Sequence, residues 1–168
     1  MTKRLILTMA LVAGCVGCNS SVPDTSAQDK SDIRALEDKF LAAFKAKDVD
    51  AIMSYYVPDE TMIAFDVIPP LQYPGAAAYK KDWQDFFAPF PGPVEASISD
   101  LDITAGPTVA YSHSIQHFSL TDKDGKKMGG TVRVTDGYKK VDGKWLIAHE
   151  HVSIPVDLTT MKGDLNAK

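Results

Sequence analysis

Two histidines flank a glutamate in the segment IAHEHVS, residues 147–153, and Arg133 lies on the preceding predicted strand. Histidine is the side chain that ordinarily exchanges a proton near neutral pH, so His149 or His151 could act as an acid or base. A guanidinium can bind a carboxylate or an enolate through two parallel hydrogen bonds. These residue types therefore predict proton transfer on a small molecule, with Arg133 stabilising the developing oxyanion.

The turn at residues 142–143 decides which of these side chains share a face of the sheet. A two-residue turn would put Arg133 on the face of Glu150. A three-residue loop, with Gly143 in the left-handed region, would pair Arg133 with His151 and Thr135 with His149. Aspartate followed by glycine suits both, and we favour the three-residue loop. One face then carries Thr131, Arg133, Thr135, Trp145, Ile147, His149, His151 and Ser153, and the other carries Val132, Val134, Tyr138, Leu146, Ala148, Glu150 and Val152.

Two interpretations of this polar face stay open. It could line a ligand pocket, or it could pack across a dimer interface and leave Glu150 as the pocket group. His113 and His117 share a parity on the preceding strand, so one of them could approach the other two histidines. Three converging histidines would suit zinc. No HExxH, CxxC or carboxylate-rich loop accompanies them, and we expect neither a metal nor another cofactor.

Asp66 is a second candidate base. It follows Met62 and Ala64 in alternation, which places it toward an interior, and burial among aromatic side chains would raise the pKa of its carboxyl. Alternatively, Asp66 accepts hydrogen bonds from the turn at residues 69–70. Tyr56 and Trp83 belong to aromatic stripes that could line a pocket, although stripes at helical spacing also form cores.

Three helices and a sheet must position these residues. Apolar residues at spacings of three and four predict a helix from Ser31 to about Lys47, and Asp48 can cap a short second helix. A short strand covers residues 61–67, and a third helix follows Gly75. Alternating patterns then predict strands over residues 94–103, 108–121, 130–140 and 144–156, with a bulge near Asp100. The expected fold is α+β, with three N-terminal helices on a strongly curved antiparallel sheet around a cone-shaped cavity.

The N-terminus has the order of a secretory signal: Lys3 and Arg4, an apolar run over residues 5–12, then small residues before Cys15. We expect a signal peptide over residues 1–14, a polar tether over 15–28, a folded domain over 29–158 and a C-terminal tail over 159–168. The whole chain has a formal charge of −4 and lacks a basic cluster, so nucleic acid is not expected as a partner.

The segment Val12-Ala13-Gly14-Cys15 resembles the lipobox of bacterial lipoproteins, in which the cysteine is lipidated and becomes the mature N-terminus. That resemblance implies a chain held in the cell envelope by acyl chains on Cys15. Val16 follows the cysteine where an aspartate would signal retention. In a Gram-negative host we therefore expect an outer-membrane protein that faces the periplasm.

The phrases FDVIPPLQYPGAAAYKKDWQDFF, RVTDGYKKVDGKW and IAHEHVSIPVD resemble the SnoaL-like, ketosteroid isomerase-like branch of the nuclear transport factor 2-like superfamily. The resemblance spans about residues 29–158, and the ending GKW followed by His149, His151 and Ser153 also resembles the association domain of calmodulin-dependent kinases. It implies a cone fold, commonly dimeric, whose pocket binds a small molecule in some members and catalyses isomerisation, dehydration or ring closure in others.

Two functions stay open on this basis. The first is a small-molecule pocket, with or without cofactor-free acid–base catalysis, and the second is a non-catalytic homodimerisation or assembly module. For the pocket we expect Asp66, Arg133, His149 and His151 in catalytic roles. Its other predicted members are Tyr56, Trp83, His113, Thr135 and Glu150.

Overall fold

A computed structural model describes residues 26–167 of the chain. Three helices, α1 (Ser26–Ala46), α2 (Val49–Met53) and α3 (Ala76–Phe87), lie on one side of a sheet. The strands are β1 (Ile63–Phe65), β2 (Tyr73–Pro74), β3 (Val94–Ala105), β4 (Val109–Thr121), β5 (Lys127–Val141), β6 (Lys144–Ser153), β7 (Val156–Asp157) and β8 (Lys162–Gly163). The predicted signal peptide and most of the tether lie outside the described residues.

Six strands form one sheet in the order β2-β1-β6-β5-β4-β3. The four long strands pair antiparallel as predicted, but β1 pairs parallel to β6, so the sheet is mixed. The parallel pairing of β1 was not predicted, because β1 reaches β6 from a distant part of the chain and alternation does not encode strand direction. Strand β2, which extends this edge, was not predicted.

The helices follow the apolar spacing of the sequence. Ile33, Leu36 and Phe40 are buried on one side of α1. Helix α1 starts at Ser26, three residues inside the predicted tether, because Asp29 in its first turn is buried against the sheet. The Asp48 carboxylate caps α2 as predicted, accepting a hydrogen bond from the Ala51 amide at 2.9 Å.

Two irregularities bend the sheet. The register of β3 against β4 shifts between Ser99 and Asp102, which confirms the predicted bulge near Asp100. A second shift lies between β5 and β6: Tyr138 pairs with Ile147 and Gly137 pairs with His149, which leaves Ala148 as an extra residue. This second bulge was not predicted, and it controls which side chains face the helices.

The residues after β6 pack back onto the sheet. Strands β7 and β8 form a small hairpin, and the Thr131 amide donates to the Leu165 carbonyl at 2.7 Å. Gly130 permits this close approach, since a Cβ there would lie 2.6 Å from the Leu165 Cβ. The segment predicted as a C-terminal tail therefore contacts β5.

Candidate functional site

A cavity of about 110 Å³ lies between the helices and the concave face of the sheet. Its walls are mostly apolar and aromatic, and its polar residues are three acids, one tyrosine, one glutamine, one serine and one histidine. The main wall residues are Phe40, Phe44, Trp83, Phe86, Phe118, Val132, Val134 and Val152. This combination of an apolar hollow with a few polar groups is typical of a small-molecule site.

Glu150 lies at one end of this cavity and is 5% exposed. Its two carboxyl oxygens are hydrogen-bonded by tyrosines: the Tyr56 hydroxyl lies 2.5 Å from Oε2, and the Tyr79 hydroxyl is bonded to Oε1. Burial raises the pKa of Glu150 to about 7, although both tyrosine hydrogen bonds lower it. Glu150 therefore changes its protonation state near neutral pH.

Asp66 lines the same cavity beside Tyr79. Its Oδ2 lies 3.5 Å from the Tyr79 hydroxyl, and its Oδ1 accepts from the Val67 amide at 2.5 Å. Burial raises the pKa of Asp66, and the hydrogen bonds from Val67 and Tyr79 act against that rise. The Tyr79 hydroxyl thus connects two carboxyls, and we call Asp66, Tyr79 and Glu150 the acid end of the cavity.

Helix α3 supplies two site residues that the sequence prediction missed, Tyr79 and Asp82. Both line the cavity together with Trp83, which was predicted. Burial also raises the pKa of Asp82. The signal was present in the sequence: Tyr79, Asp82, Trp83 and Phe86 are spaced by three, one and three residues, so an acid occupies a position on the apolar stripe.

A second buried acid network lies between α1 and the sheet. The Tyr138 hydroxyl donates to Glu37 Oε1 at 2.6 Å and lies 2.8 Å from the Ser112 hydroxyl. Asp136 is 2% exposed, and its Oδ1 has no hydrogen-bond partner among residues 26–167. Burial raises the pKa of Glu37 and of Asp136. This network does not line the cavity.

The outer, convex face of the sheet holds most of the polar residues that were predicted to line the pocket. Arg133, Thr135, His113 and His151 are exposed there, and none of them lines the cavity. In the observed register Arg133 pairs with Ser153 and Thr135 pairs with His151. The structure therefore does not bring these four residues together with Asp66, and their predicted place in the pocket is corrected.

The predicted three-residue turn and the residue pairs it implied were wrong, although Arg133 and Thr135 do share a face with the two histidines. Val141 pairs with Lys144, so the turn at residues 142–143 has two residues, with both in the left-handed region. This turn alone would put Arg133 on the face of Glu150, but the bulge at Ala148 shifts the register by one residue. The bulge also moves Trp145 and Ile147, predicted on the histidine face, into the core.

On this outer face, His149 and His151 both contact residues of β1. Both rings contact Phe65 of β1 edge-on, with centroid distances of 4.9 Å for His149 and 5.7 Å for His151. The Nδ1–H of His149 donates to the Ile63 carbonyl at 2.9 Å. The parallel β1–β6 pairing accounts for these contacts, because it places Phe65 beside His151 and Ile63 beside His149.

Of the other predicted pocket members, Glu150, Asp66 and Trp83 line the cavity. Tyr56 does not line it but contacts the acid end through its hydroxyl and through the Tyr79 ring, at a centroid distance of 5.5 Å. Within residues 26–167, no group of three or more His, Cys, Asp or Glu side chains is arranged to hold a metal ion. No helix of this described part has the length and apolar character needed to cross a membrane.

Comparison with known proteins identifies the family of this chain. The SnoaL-like domain family matches residues 33–157, and the chain belongs to that family. No curated protein matches the chain. The family and the nuclear transport factor 2-like fold confirm the predicted α+β cone.

Among solved structures, the chain is similar to a nuclear transport factor 2-like protein of unknown function from Pseudomonas putida KT2440. The two share 30% identity with a TM-score of 0.77, over 85% of this chain and 98% of that one. A candidate calcium/calmodulin dependent protein kinase II association domain from Xanthomonas campestris is 25% identical, with a TM-score of 0.64 over 80% and 91% of the chains. A candidate scytalone dehydratase from Novosphingobium aromaticivorans DSM 12444, 17% identical with a TM-score of 0.69 over 78% and 87%, shares the fold.

Proposed function

We propose that this SnoaL-like domain binds a small, mainly apolar molecule in its cavity and moves a proton on it without a cofactor. The observation that carries the proposal is the acid end, where the Tyr79 hydroxyl contacts both the Asp66 and the Glu150 carboxyls in the wall of a mainly apolar cavity. Carboxyls in such surroundings can exchange protons near neutral pH. The candidate scytalone dehydratase of the same fold agrees with this class of chemistry.

In this proposal Asp66 is the base. The C–H bond next to a carbonyl breaks, the proton moves to an Asp66 carboxylate oxygen, and the electron pair moves onto the carbonyl oxygen to give an enolate. Where a C=C bond lies β,γ to the carbonyl, this enolate is a dienolate, and return of the proton from Asp66 to its γ-carbon shifts the double bond and completes an isomerisation with atoms and charge balanced. Protonated Glu150 and the Tyr79 hydroxyl are the O–H groups at this end, and they replace Arg133 as the expected stabilisers of the oxyanion.

Deuterium exchange tests this proposal without knowledge of the substrate. Cyclohexanone in D₂O exchanges its α-protons when a base acts on them, and proton NMR follows the loss. We expect the protein to accelerate the exchange and Asp66→Asn to lose roughly 100-fold or more of that acceleration. Asp85→Asn is the matched control, because Asp85 is an exposed acid on α3 that pairs with Lys81 outside the cavity. Equal acceleration by wild type and Asp66→Asn would remove Asp66 from the mechanism.

The outer face favours a second candidate function, homodimerisation or assembly. Phe65, Val109 and Tyr111 are 36%, 60% and 51% exposed there, and Arg133 and His151 are exposed on the same face. Replacing Arg133 and His151 by alanine in the tetherless domain tests it by sedimentation velocity. A homodimer that dissociates in this variant supports assembly through the outer face, and a monomeric wild type contradicts it.

We also propose that the mature protein is anchored in the cell envelope through a lipidated Cys15. The support is the signal-like order of residues 1–15, with the small residues Ala13 and Gly14 directly before the cysteine. The polar segment between Cys15 and α1 then serves as the tether. Because Val16 follows the cysteine, the outer membrane facing the periplasm is the proposed location in a Gram-negative host.

A further inference from the structure

We propose that the molecule bound in the cavity is an organic cation, an amine no larger than about one substituted ring, with its ammonium group beside Asp82. This inference rests on the proposed small-molecule function and names the chemical class of the ligand. It depends on three observations: the charge of the lining residues, the aromatic walls, and the ion pairs that the neighbouring lysines form with other acids.

The charge of the lining is one-sided. Asp66, Asp82 and Glu150 line the cavity, and its described lining contains neither lysine nor arginine. His117 is the one histidine in this lining. It is exposed, and its Nδ1 lies 2.7 Å from the Thr131 hydroxyl oxygen. An anionic ligand would be repelled by the carboxylates of Asp66 and Asp82 in a site with reduced access to water.

The walls have the composition of a cation-binding aromatic box. Trp83 is at the centre of the cluster, with ring centroids 6.0 Å from Phe40, 5.8 Å from Phe44 and 5.9 Å from Phe86. Phe86 in turn contacts Phe118 of the sheet edge-on, at a centroid distance of 6.3 Å. Aromatic faces attract ammonium groups, and tryptophan does so most strongly.

The lysines nearest in sequence to Asp82 form ion pairs with acids outside the cavity. Lys80 pairs with Asp50 at 2.6 Å, and Lys81 pairs with Asp85 at 2.6 Å. Within residues 26–167, no ion pair involves Asp66, Asp82 or Glu150. A half-buried carboxylate without a cation carries a desolvation cost, which a bound ammonium offsets through a charge-assisted hydrogen bond. The raised pKa of Asp82 has the same cause.

The volume limits the size of the ligand. A closed apolar cavity of roughly 150 Å³ holds one benzene-sized ring. The cavity here is smaller, at about 110 Å³, and its wall includes the exposed Val67 and Ile68. The ligand can therefore be no larger than about one ring with a short aminomethyl substituent, with the ring among the aromatic walls and the ammonium group at Asp82.

Three probes of similar shape and different charge test the inference: benzylamine, benzyl alcohol and benzoate. Binding is followed at pH 7.5 by calorimetry. We expect benzylamine to bind about tenfold or more tightly than benzyl alcohol, and benzoate to bind more weakly than both. In Asp82→Asn the preference for benzylamine over benzyl alcohol should fall toward one.

Asp85→Asn is the control, since it removes the same charge from helix α3 outside the cavity. Its benzylamine preference should stay that of the wild type, whereas an equal loss in both variants would assign the preference to net charge and overturn the inference. Binding of benzyl alcohol as tight as that of benzylamine would also overturn it, yet would leave the proposed binding function intact. Failure of all three probes to bind would contradict the binding function itself.

Discussion

At the scale of single residues, Glu150 explains why a glutamate stands between two histidines in β6. Successive side chains of a strand point to opposite faces, so His149 and His151 contact Phe65 on the outer face while Glu150 enters the cavity wall. The chemistry of this segment is therefore divided between two faces. Only the glutamate belongs to the cavity, and its state depends on the tyrosines that contact it.

Tyr79→Phe should raise the pKa of Glu150 above its wild-type value of about 7. The Tyr79 hydrogen bond favours the ionised carboxyl and so lowers the pKa of Glu150, whereas burial raises it. Without that hydrogen bond, the effect of burial on the pKa is larger. Carbon-detected NMR titration of the Glu150 carboxyl measures the shift. Tyr56→Phe is the matched variant, since it removes the bond at the other oxygen and should act in the same direction. A lower pKa in either variant would contradict the assigned role of these hydroxyls.

The folding stability should fall as pH rises from about 4.5 to 7. The pKa of Glu150 in the folded state lies above its ordinary value of 4.5, so the folded state binds the proton more tightly than the unfolded state. The stabilisation is complete below the unfolded pKa and is lost as pH rises through the folded one. The raised pKa values of Asp66, Glu37 and Asp136 act in the same direction.

Urea unfolding at several pH values measures this dependence, with Glu150→Gln as the comparison. The variant keeps a neutral side chain at all pH values, so its stability should decline less steeply over the same range. The difference in decline should be on the order of 1 to 3 kcal/mol for one fully buried carboxyl. Parallel curves for the two proteins would exclude Glu150 as a titrating group in this range.

At the scale of elements, helix α1 is connected to the sheet by a charged contact at its first turn. Asp29 is 1% exposed; it forms an ion pair with Lys140 of β5 and accepts from the Trp145 indole N–H at 3.1 Å. The Lys140 Nζ also lies 5.1 Å from the Trp145 ring centroid. Since α1 carries Phe40 and Phe44, this contact helps to hold one wall of the cavity.

Asp29→Asn should destabilise the fold by about 1 to 3 kcal/mol, because it leaves the partly buried Lys140 ammonium without its carboxylate. Chemical denaturation measures the change. Asp32→Asn is the control on the same helix: Asp32 is exposed, accepts from Gln28, and should change stability by less than about 0.5 kcal/mol. Similar losses in the two variants would indicate a general charge effect on α1.

At the scale of the whole molecule, a polar segment connects the proposed lipid anchor at Cys15 to the domain that holds the cavity. Cys15→Ala should abolish incorporation of labelled palmitate and release the protein from the membrane fraction, while the domain from Ser26 onward keeps its fold. The control is Cys18→Ala, which removes the other cysteine of the chain and should leave labelling unchanged. Labelling that persists in Cys15→Ala would contradict the proposed lipidation site.

The sequence by itself determined the local elements and the fold class. The helices follow from apolar spacing, the α2 cap from Asp48, and the long hairpins from alternation and turn residues. The bulge near Asp100 was visible as a change of parity. Asp66, Trp83 and Glu150 could be named as cavity residues because a carboxyl or a large aromatic ring at an inward position is readable from such patterns.

Only the tertiary structure decided which face of the sheet surrounds the cavity. The bulge at Ala148 leaves no mark in the alternation, and the parallel pairing of β1 with β6 joins residues about 86 positions apart, as in Ile63 and His149. These long-range contacts put Arg133 and the histidines outside and bring Tyr79, Asp82 and Glu150 together. Local periodicity records which residues alternate, whereas the packing of distant segments determines which side they face.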